Sequence, residues 1–376
     1  MKYNIFMESL GRGGAEKSLL TLINNSLKNH KNDQVTLYLF NDVKSSYTEN
    51  LSNSCKLITA DNKLSKLFLN PKIIKFLPRN CFYFIWLKLF YTPALRGDDT
   101  MNIAFMEGIP TKFLGAYNGE NKSTWIHCDF CTNHWSKQYY LNEAEEINDY
   151  STFSDIILVS ETIKNGATQV LKIPESRIRV LNNFIDKKEL KLLAKEPIDE
   201  KILDWIKEYN VYCIIGRLVK IKGILEFLKT IVKYKNELNI KFLIIGEGEL
   251  ENDILEIVSE HRLHEYVKLI GFTSNPYKFM KISNGLISVS KSESYGLVIE
   301  EAILLEVPVY SLEHEGAKKF ESYLQSPPYS NNEKGREELL KKLNNKPLYK
   351  NDKREKYYVS SYGTTLDDIY DGLYNS

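Results

Sequence analysis

Two cations and two carboxylates stand out in the second half of the sequence. The segment IIGRLVKIKG, residues 214–223, has an apolar strand ending at Gly216 and a helix beginning near Gly223, with Arg217 and Lys222 in the loop between. Arg presents a planar fork that matches two phosphate oxygens, and Lys a mobile point charge. Beside the free amides of a helix start, the pair suits a diphosphate. The plain alternative is a solvated loop with ordinary surface charges. The segment SVSKSESYGLVIEEA, residues 288–302, reads as a strand, a polar turn through Glu293, Ser294 and Tyr295, and a helix from about Gly296. Glu293 in the turn and Glu301 about one turn into the helix can face the same end of a cleft, where helix-start amides face anionic oxygen. Otherwise Glu301 is a first-turn acid stabilised by the helix dipole, and Glu300 beside it is simply solvated.

Three further segments carry chemistry-bearing residues. MESLGRGGAEKSLL, residues 7–20, sets a glycine-rich loop between a first strand and a first helix, where the amides of Gly13 and Gly14 could approach a phosphate or a sugar. It is one residue short of a nucleotide-binding P-loop, because Glu16 stands where a glycine is required, and a carboxylate there opposes a triphosphate. FLIIGEGELE, residues 242–251, has Gly246 and Gly248 but Glu251 in place of the third glycine of a dinucleotide fingerprint, which weakens a dehydrogenase reading. STWIHCDFCTNHW, residues 123–135, ends a strand and holds His127, Cys128, Cys131 and His134. Zinc is one reading, disfavoured by the adjacency of His127 and Cys128. A satisfied core histidine is another. No D-x-D occurs in the chain, so a diphosphate held here would lack paired aspartates to bridge it through a metal, and the cations would have to neutralise it.

The elements that must position these residues follow from hydrophobic patterning. Short apolar, β-branched runs alternate with amphipathic stretches throughout, as in parallel sheets covered by helices. Expected strands are 3–7, 34–40, 102–106, 123–126, 155–160 and 178–182 in the first half, and 211–215, 240–245, 267–271, 285–290 and 307–311 in the second. The fold class is therefore α/β, with two doubly wound domains, 1–195 and 196–356, joined through a charged stretch containing Pro197. Facing sheets of this kind leave a cleft at the carboxyl ends of their strands. A Tyr-rich tail, about 357–376, suggests a helix that packs back on the body.

A chain of 376 residues, 43% hydrophobic and 26% charged, can bury two ordinary cores. Its 50 Lys and Arg against 49 Asp and Glu lack the excess expected of a nucleic-acid binder, so none is expected as a partner. Met1 runs directly into a strand-like segment without a charged, apolar leader, and five cysteines over this length read as a reduced set, so a cytoplasmic location is the expectation. Residues 56–96 hold eight Lys or Arg against Asp61 alone, interleaved with Phe76, Phe82, Tyr83, Phe84, Trp86, Phe90 and Tyr91. Pro78, Arg79 and Lys88 prevent this stretch from spanning a bilayer. It reads equally as an interfacial face for anionic membrane and as a helix pair with aromatic core and solvated lysines.

GRLVKIKG followed some seventy residues later by ESYGLVIEEA resembles the donor-binding half of glycosyltransferase family 4, of GT-B fold. The resemblance extends through FLIIGEGELE and VKLIGFTSN, and into the first half through GGAE, WIH and residues 160–186. It implies a retaining, metal-independent transferase with no cofactor, the nucleotide sugar being a co-substrate. Arg217 and Lys222 would bind the donor diphosphate, Glu293 would contact the transferred sugar, Glu301 would hold ribose hydroxyls and His127 would point toward the reacting sugar. The implied donor site comprises Gly13, Gly14, Gly216, Arg217, Lys222, Ser294, Tyr295, Gly296, Leu297 and Glu301, with Glu293 and His127 catalytic and no metal ligand. The implied donor is a nucleoside-diphosphate sugar, UDP preferred, and the acceptor a glycan, lipid-linked, for capsule, exopolysaccharide or lipopolysaccharide synthesis on the cytosolic face of the membrane. The sequence departs from the family at LLEVPVYSLEHEGAKK, residues 304–319, where Glu306 replaces a glycine. A sugar-nucleotide epimerase of the same shape and a non-catalytic partner subunit remain as alternatives.

Overall fold

A computed structural model describes residues 1–11, 13–41, 51, 53–60, 63–90, 95–345 and 369. The chain divides into two compact units, Met1–Phe184 with Ser360–Ser376, and Ile185–Val359. The division thus falls about ten residues before the 195 expected from sequence. The expected C-terminal helix lies outside the described residues apart from Ile369, which is buried and whose carbonyl accepts a hydrogen bond from Arg179 Nη2 at 2.9 Å.

The first unit is built on seven strands: β1 (Lys2–Met7), β2 (Gln34–Leu39), β3 (Lys56–Thr59), β4 (Thr100–Ala104), β5 (Lys122–Ile126), β6 (Asp155–Leu158) and β7 (Ile178–Val180). They lie in the order β3-β2-β1-β4-β5-β6-β7, and every pairing is parallel. β4, β5 and β6 are buried along their whole length, as strands covered by helices on both faces must be. Buried polar groups in this sheet are paired: Asn4 Nδ2 donates to Asn102 Oδ1 at 3.0 Å across β1 and β4. The patterning missed β3, whose residues are exposed or half-buried and therefore lack a continuous apolar run.

The second unit holds β8 (Asn210–Ile215), β9 (Ile240–Ile245), β10 (Val267–Gly271), β11 (Gly285–Ser288) and β12 (Val309–Ser311) in the parallel order β10-β9-β8-β11-β12. Helix Ile224–Tyr234 shows why this half was legible. Its Ile224, Phe227, Leu228 and Ile231 recur at helical spacing and are buried against Tyr212, Ile214, Phe242 and Ile244 of the sheet. The chain leaves β8 toward β9 on one side and returns to place β11 on the other. The crevice beyond the carboxyl ends of β8 and β11 is therefore a topological switch point, where open parallel sheets bind ligands.

Candidate functional site

The loops after β8 and β11 carry the two motifs singled out by their residue types, and they are tied together by backbone contacts. Lys291 N donates to Ile221 O at 2.7 Å. Gly223, at φ +67°, caps the short turn Lys220–Lys222 and opens helix Ile224–Tyr234, and a Cβ there would strike the carbonyl of Val289. The turn after β9 supports the same loop, with Leu218 N donating to Glu247 O at 2.8 Å and Leu250 N to Leu218 O at 2.9 Å. GEGELE thus contributes backbone support beside Gly216 and Arg217.

Across these loops, 71 residues apart in sequence, Lys222 Nζ and Glu293 Oε2 form a close ion pair, with side chains 21% and 24% exposed. Burial on its own would raise the Glu293 carboxyl. The Lys222 charge and hydrogen bond outweigh it, Arg217 adds to them, and the carboxyl is held below its ordinary value. Arg217 is exposed and has no ion-pair partner among the described residues, so its guanidinium is available to an anion beside the pair. The arrangement offers one free cation, one cation shared with a carboxylate, and a carboxylate kept ionised. His314, which Glu293 faces, was not among the residues selected from sequence.

The remaining predicted residues separate into backbone and side-chain roles. Gly296 is left-handed, φ +85° and ψ 42°, and a Cβ on it would lie 3.0 Å from Gly316 O. Tyr295 is 3% exposed and its hydroxyl donates to Glu300 Oε2 at 2.6 Å, so only its backbone faces outward chemistry. Glu300, solvated on the plain alternative reading of this motif, is instead 1% exposed. Lys319 stacks over the Tyr295 ring at 3.5 Å and is pushed down to about 8 by burial, against the pull of Glu300. Glu301 is 5% exposed, and its Oε1 accepts from the Tyr277 hydroxyl at 2.8 Å. Ser294 and Leu297 are half-buried, Ser294 in the loop and Leu297 as the first helical residue.

In the first unit, Gly13 is the N-cap of helix Gly14–Asn29, and the Glu16 carboxylate lies over Gly11 and Gly13. A carboxylate on that loop disfavours phosphate on the same face and favours neutral hydroxyls. His127 follows β5. Its Nε2 is 3.0 Å from Phe105 O, and because a carbonyl only accepts, Nε2 carries the proton and Nδ1 the lone pair. Burial lowers the His127 pKa while Glu107 opposes it, so the ring is neutral at neutral pH. Cys128 is buried and its thiol is pushed well up by burial and by Glu107, and His134 Nε2 pairs with Glu146 at 2.7 Å. Among the described residues no three His, Cys, Asp or Glu side chains form a group that could hold a metal ion.

Two acids here escaped the sequence reading. Glu8, just past β1, is pushed up to about 7 by burial and by Glu16, against a hydrogen bond from Tyr139. Buried Glu107, past β4, accepts the backbone N–H groups of His127 and Cys128. Their position after adjacent strands was the available signal. In the aromatic and basic stretch, Phe82, Trp86 and Phe90 are core, whereas Leu67, Phe76 and Phe84 are 50%, 67% and 59% exposed. Tyr91 and Asp61 lie outside the described residues. Among the described residues no helix is long and apolar enough to cross a membrane.

A family model described as glycosyl transferases group 1 matches residues 195–354. The N-acetylgalactosamine-N,N'-diacetylbacillosaminyl-diphospho-undecaprenol 4-alpha-N-acetylgalactosaminyltransferase of Campylobacter jejuni is 30% identical over 329 residues, spanning 85% of this chain and 82% of that enzyme. An uncharacterized glycosyltransferase of Methanocaldococcus jannaschii is 31% identical over 164 residues, 42% of this chain and 40% of its own length. Among solved structures, Anabaena HepE in complex with UDP and glucose aligns with a TM-score of 0.66 at 16% identity, covering 92% of this chain and 89% of that one, a likeness of fold.

Proposed function

Because the chain belongs to the group 1 glycosyltransferases and has their GT-B fold, we propose that it moves a sugar, with retention, from a nucleoside-diphosphate sugar to a lipid-linked glycan. A UDP-sugar is the preferred donor and cell-surface polysaccharide the product class. The observation that carries the reading is the Lys222–Glu293 pair with Arg217 beside it, at the switch point of the second unit.

Arg217 and Lys222 neutralise the diphosphate as its bond to the sugar C1 breaks, without a metal ion or other cofactor. Glu293, kept ionised, holds the sugar being transferred and stabilises positive charge at C1. The acceptor hydroxyl forms the new bond to C1, and its proton leaves with the nucleoside diphosphate. Glu301, oriented by Tyr277, takes ribose hydroxyls. The amides of Gly216, Ser294, Gly296 and Leu297 complete the donor site, and Tyr295 joins them through its backbone. Gly13 and Gly14, in the first unit, offer backbone amides to a sugar on a loop where Glu16 tolerates hydroxyls. His127, its lone pair on Nδ1, serves the reacting sugar.

The lipid-linked acceptor is supported by the name of the Campylobacter relative, whose acceptor is a diphospho-undecaprenol glycan. Phe76, Phe84 and Leu67, exposed among Lys66, Lys72 and Lys75, suit contact with the anionic inner face of a membrane.

The test is release of nucleoside diphosphate from a panel of UDP- and GDP-sugars, with excess chelator, in the presence and absence of undecaprenyl-diphosphate-linked glycan. Acceptor-dependent release supports the transferase. Acceptor-independent isomerisation of the donor would instead mark an epimerase, and no turnover with intact partner binding a non-catalytic subunit.

A further inference from the structure

His314 lies in the segment where the sequence departs from the resembled family, and the structure gives its ring three polar contacts. β11 and β12 pair in parallel with Ser288 opposite Ser311 at their carboxyl ends. His314 Nε2 is 2.8 Å from Ser288 Oγ and 3.2 Å from Ser311 Oγ, and its Nδ1 accepts from Ala317 N at 3.1 Å. The tautomer follows from these partners. Nδ1 accepts a backbone N–H and so holds the lone pair, while the Ser311 hydroxyl donates to Leu312 O at 2.7 Å, leaving its oxygen to accept from Nε2–H. The ring is 5% exposed.

The turn that this ring anchors also holds the Glu293 loop. Gly316 N, inside the turn capped by His314, donates to Glu293 O at 2.7 Å. A Cβ on Gly316 would lie 2.8 Å from Gly296 N, so the two loops meet backbone to backbone. The imidazole therefore links the two strand ends to the segment that sets where the Glu293 carboxylate stands relative to Lys222.

We propose that His314, in its neutral form, is a positioning residue that holds the Glu293 carboxylate against Lys222 through the Gly316–Glu293 contact. This rests on the reading of Arg217, Lys222 and Glu293 as a donor site. The charged groups facing the ring are Glu293, Lys222 and Glu315, and burial dominates them, lowering the imidazole to about 4 and keeping it neutral where the enzyme would work.

The test is a double-mutant cycle on UDP affinity, measured by calorimetry with chelator present, and on GDP affinity as a second probe. Removing the Glu293 charge in Glu293→Gln should tighten nucleotide binding about tenfold in the wild-type background. In His314→Ala the carboxylate is no longer held at Lys222, and the same substitution should change affinity by less than about threefold. His314→Asn can restore the cap to Ala317 N but not reach the strand-end serines. It should recover the melting temperature lost in His314→Ala and not the tenfold effect. A full tenfold effect surviving in His314→Ala, or complete recovery of it in His314→Asn, overturns the proposal. Absence of UDP and GDP binding in every protein instead defeats the donor-site reading, and this inference with it.

Discussion

Neutralising Glu293 should strengthen, not weaken, binding of the bare nucleoside diphosphate. In the free protein Lys222 is committed to Glu293, and the carboxylate stands where its charge opposes an incoming diphosphate. Two unit charges about 5 Å apart interact by about 3 kcal/mol at an effective dielectric of about 20, and by about 1 kcal/mol in bulk water. The side chains are 21% and 24% exposed, so the truth lies between these limits. A change near 1.4 kcal/mol, or about tenfold in Kd, is the central expectation for Glu293→Gln. Turnover should fall by about a hundredfold or more in the same variant, since the group assigned to the transferred sugar has lost its charge. Calorimetric titration with UDP at pH 7.5 and two salt concentrations, paired with donor-consumption rates, reads both effects. Unchanged or weaker UDP binding in a folded Glu293→Gln protein would refute the reasoning that Lys222 is shared between carboxylate and diphosphate.

Three other outcomes follow from burial and partners. The unfolded chain protonates His314 near its ordinary 6.5 and the folded one only near 4, so its contribution is complete above about pH 6.5 and lost as pH falls toward 4. That window is worth about 3 kcal/mol, and His314→Gln should flatten the corresponding stretch of a denaturation-versus-pH curve. Tyr295→Phe removes a hydrogen bond from buried Glu300 and should cost about 1–3 kcal/mol in urea unfolding, whereas a change under 0.5 kcal/mol would deny the bond a structural role. Within one helix, Trp86→Ala should cost about 3–5 kcal/mol and Phe84→Ala almost nothing, while Phe84→Ala and Lys72→Glu with Lys75→Glu should each reduce sedimentation with anionic vesicles; equal vesicle binding would remove the membrane contact.

How much of this was legible in the sequence depended on whether the signal was local. β4, β5 and β6 are buried on both faces and β8 and β9 nearly so, and their apolar runs marked them without reference to anything distant. Among the described residues β3 pairs with β2 at the sheet edge and its side chains are exposed or half-buried, so its four residues resembled a loop. The Arg217 and Lys222 loop could be read because strand, loop and helix are contiguous. The pairing of Lys222 with Glu293 could not, since it arises from β11 returning to lie beside β8. Adjacent acids were likewise ambiguous: both are buried, Glu300 against the Tyr295 hydroxyl and Glu301 against that of Tyr277. His314 carried no motif of its own, and its importance comes from register partners at the ends of β11 and β12.

The most direct test of the central claim is calorimetric binding of UDP, GDP and ADP, with excess chelator, to the wild type and to Arg217→Ala. The account predicts that one uridine or guanosine nucleotide, UDP by preference, binds without metal, and that Arg217→Ala weakens it at least tenfold while leaving thermal unfolding unchanged. Binding that requires a divalent cation, or that survives intact in Arg217→Ala, would contradict a diphosphate site built from Arg217 and Lys222.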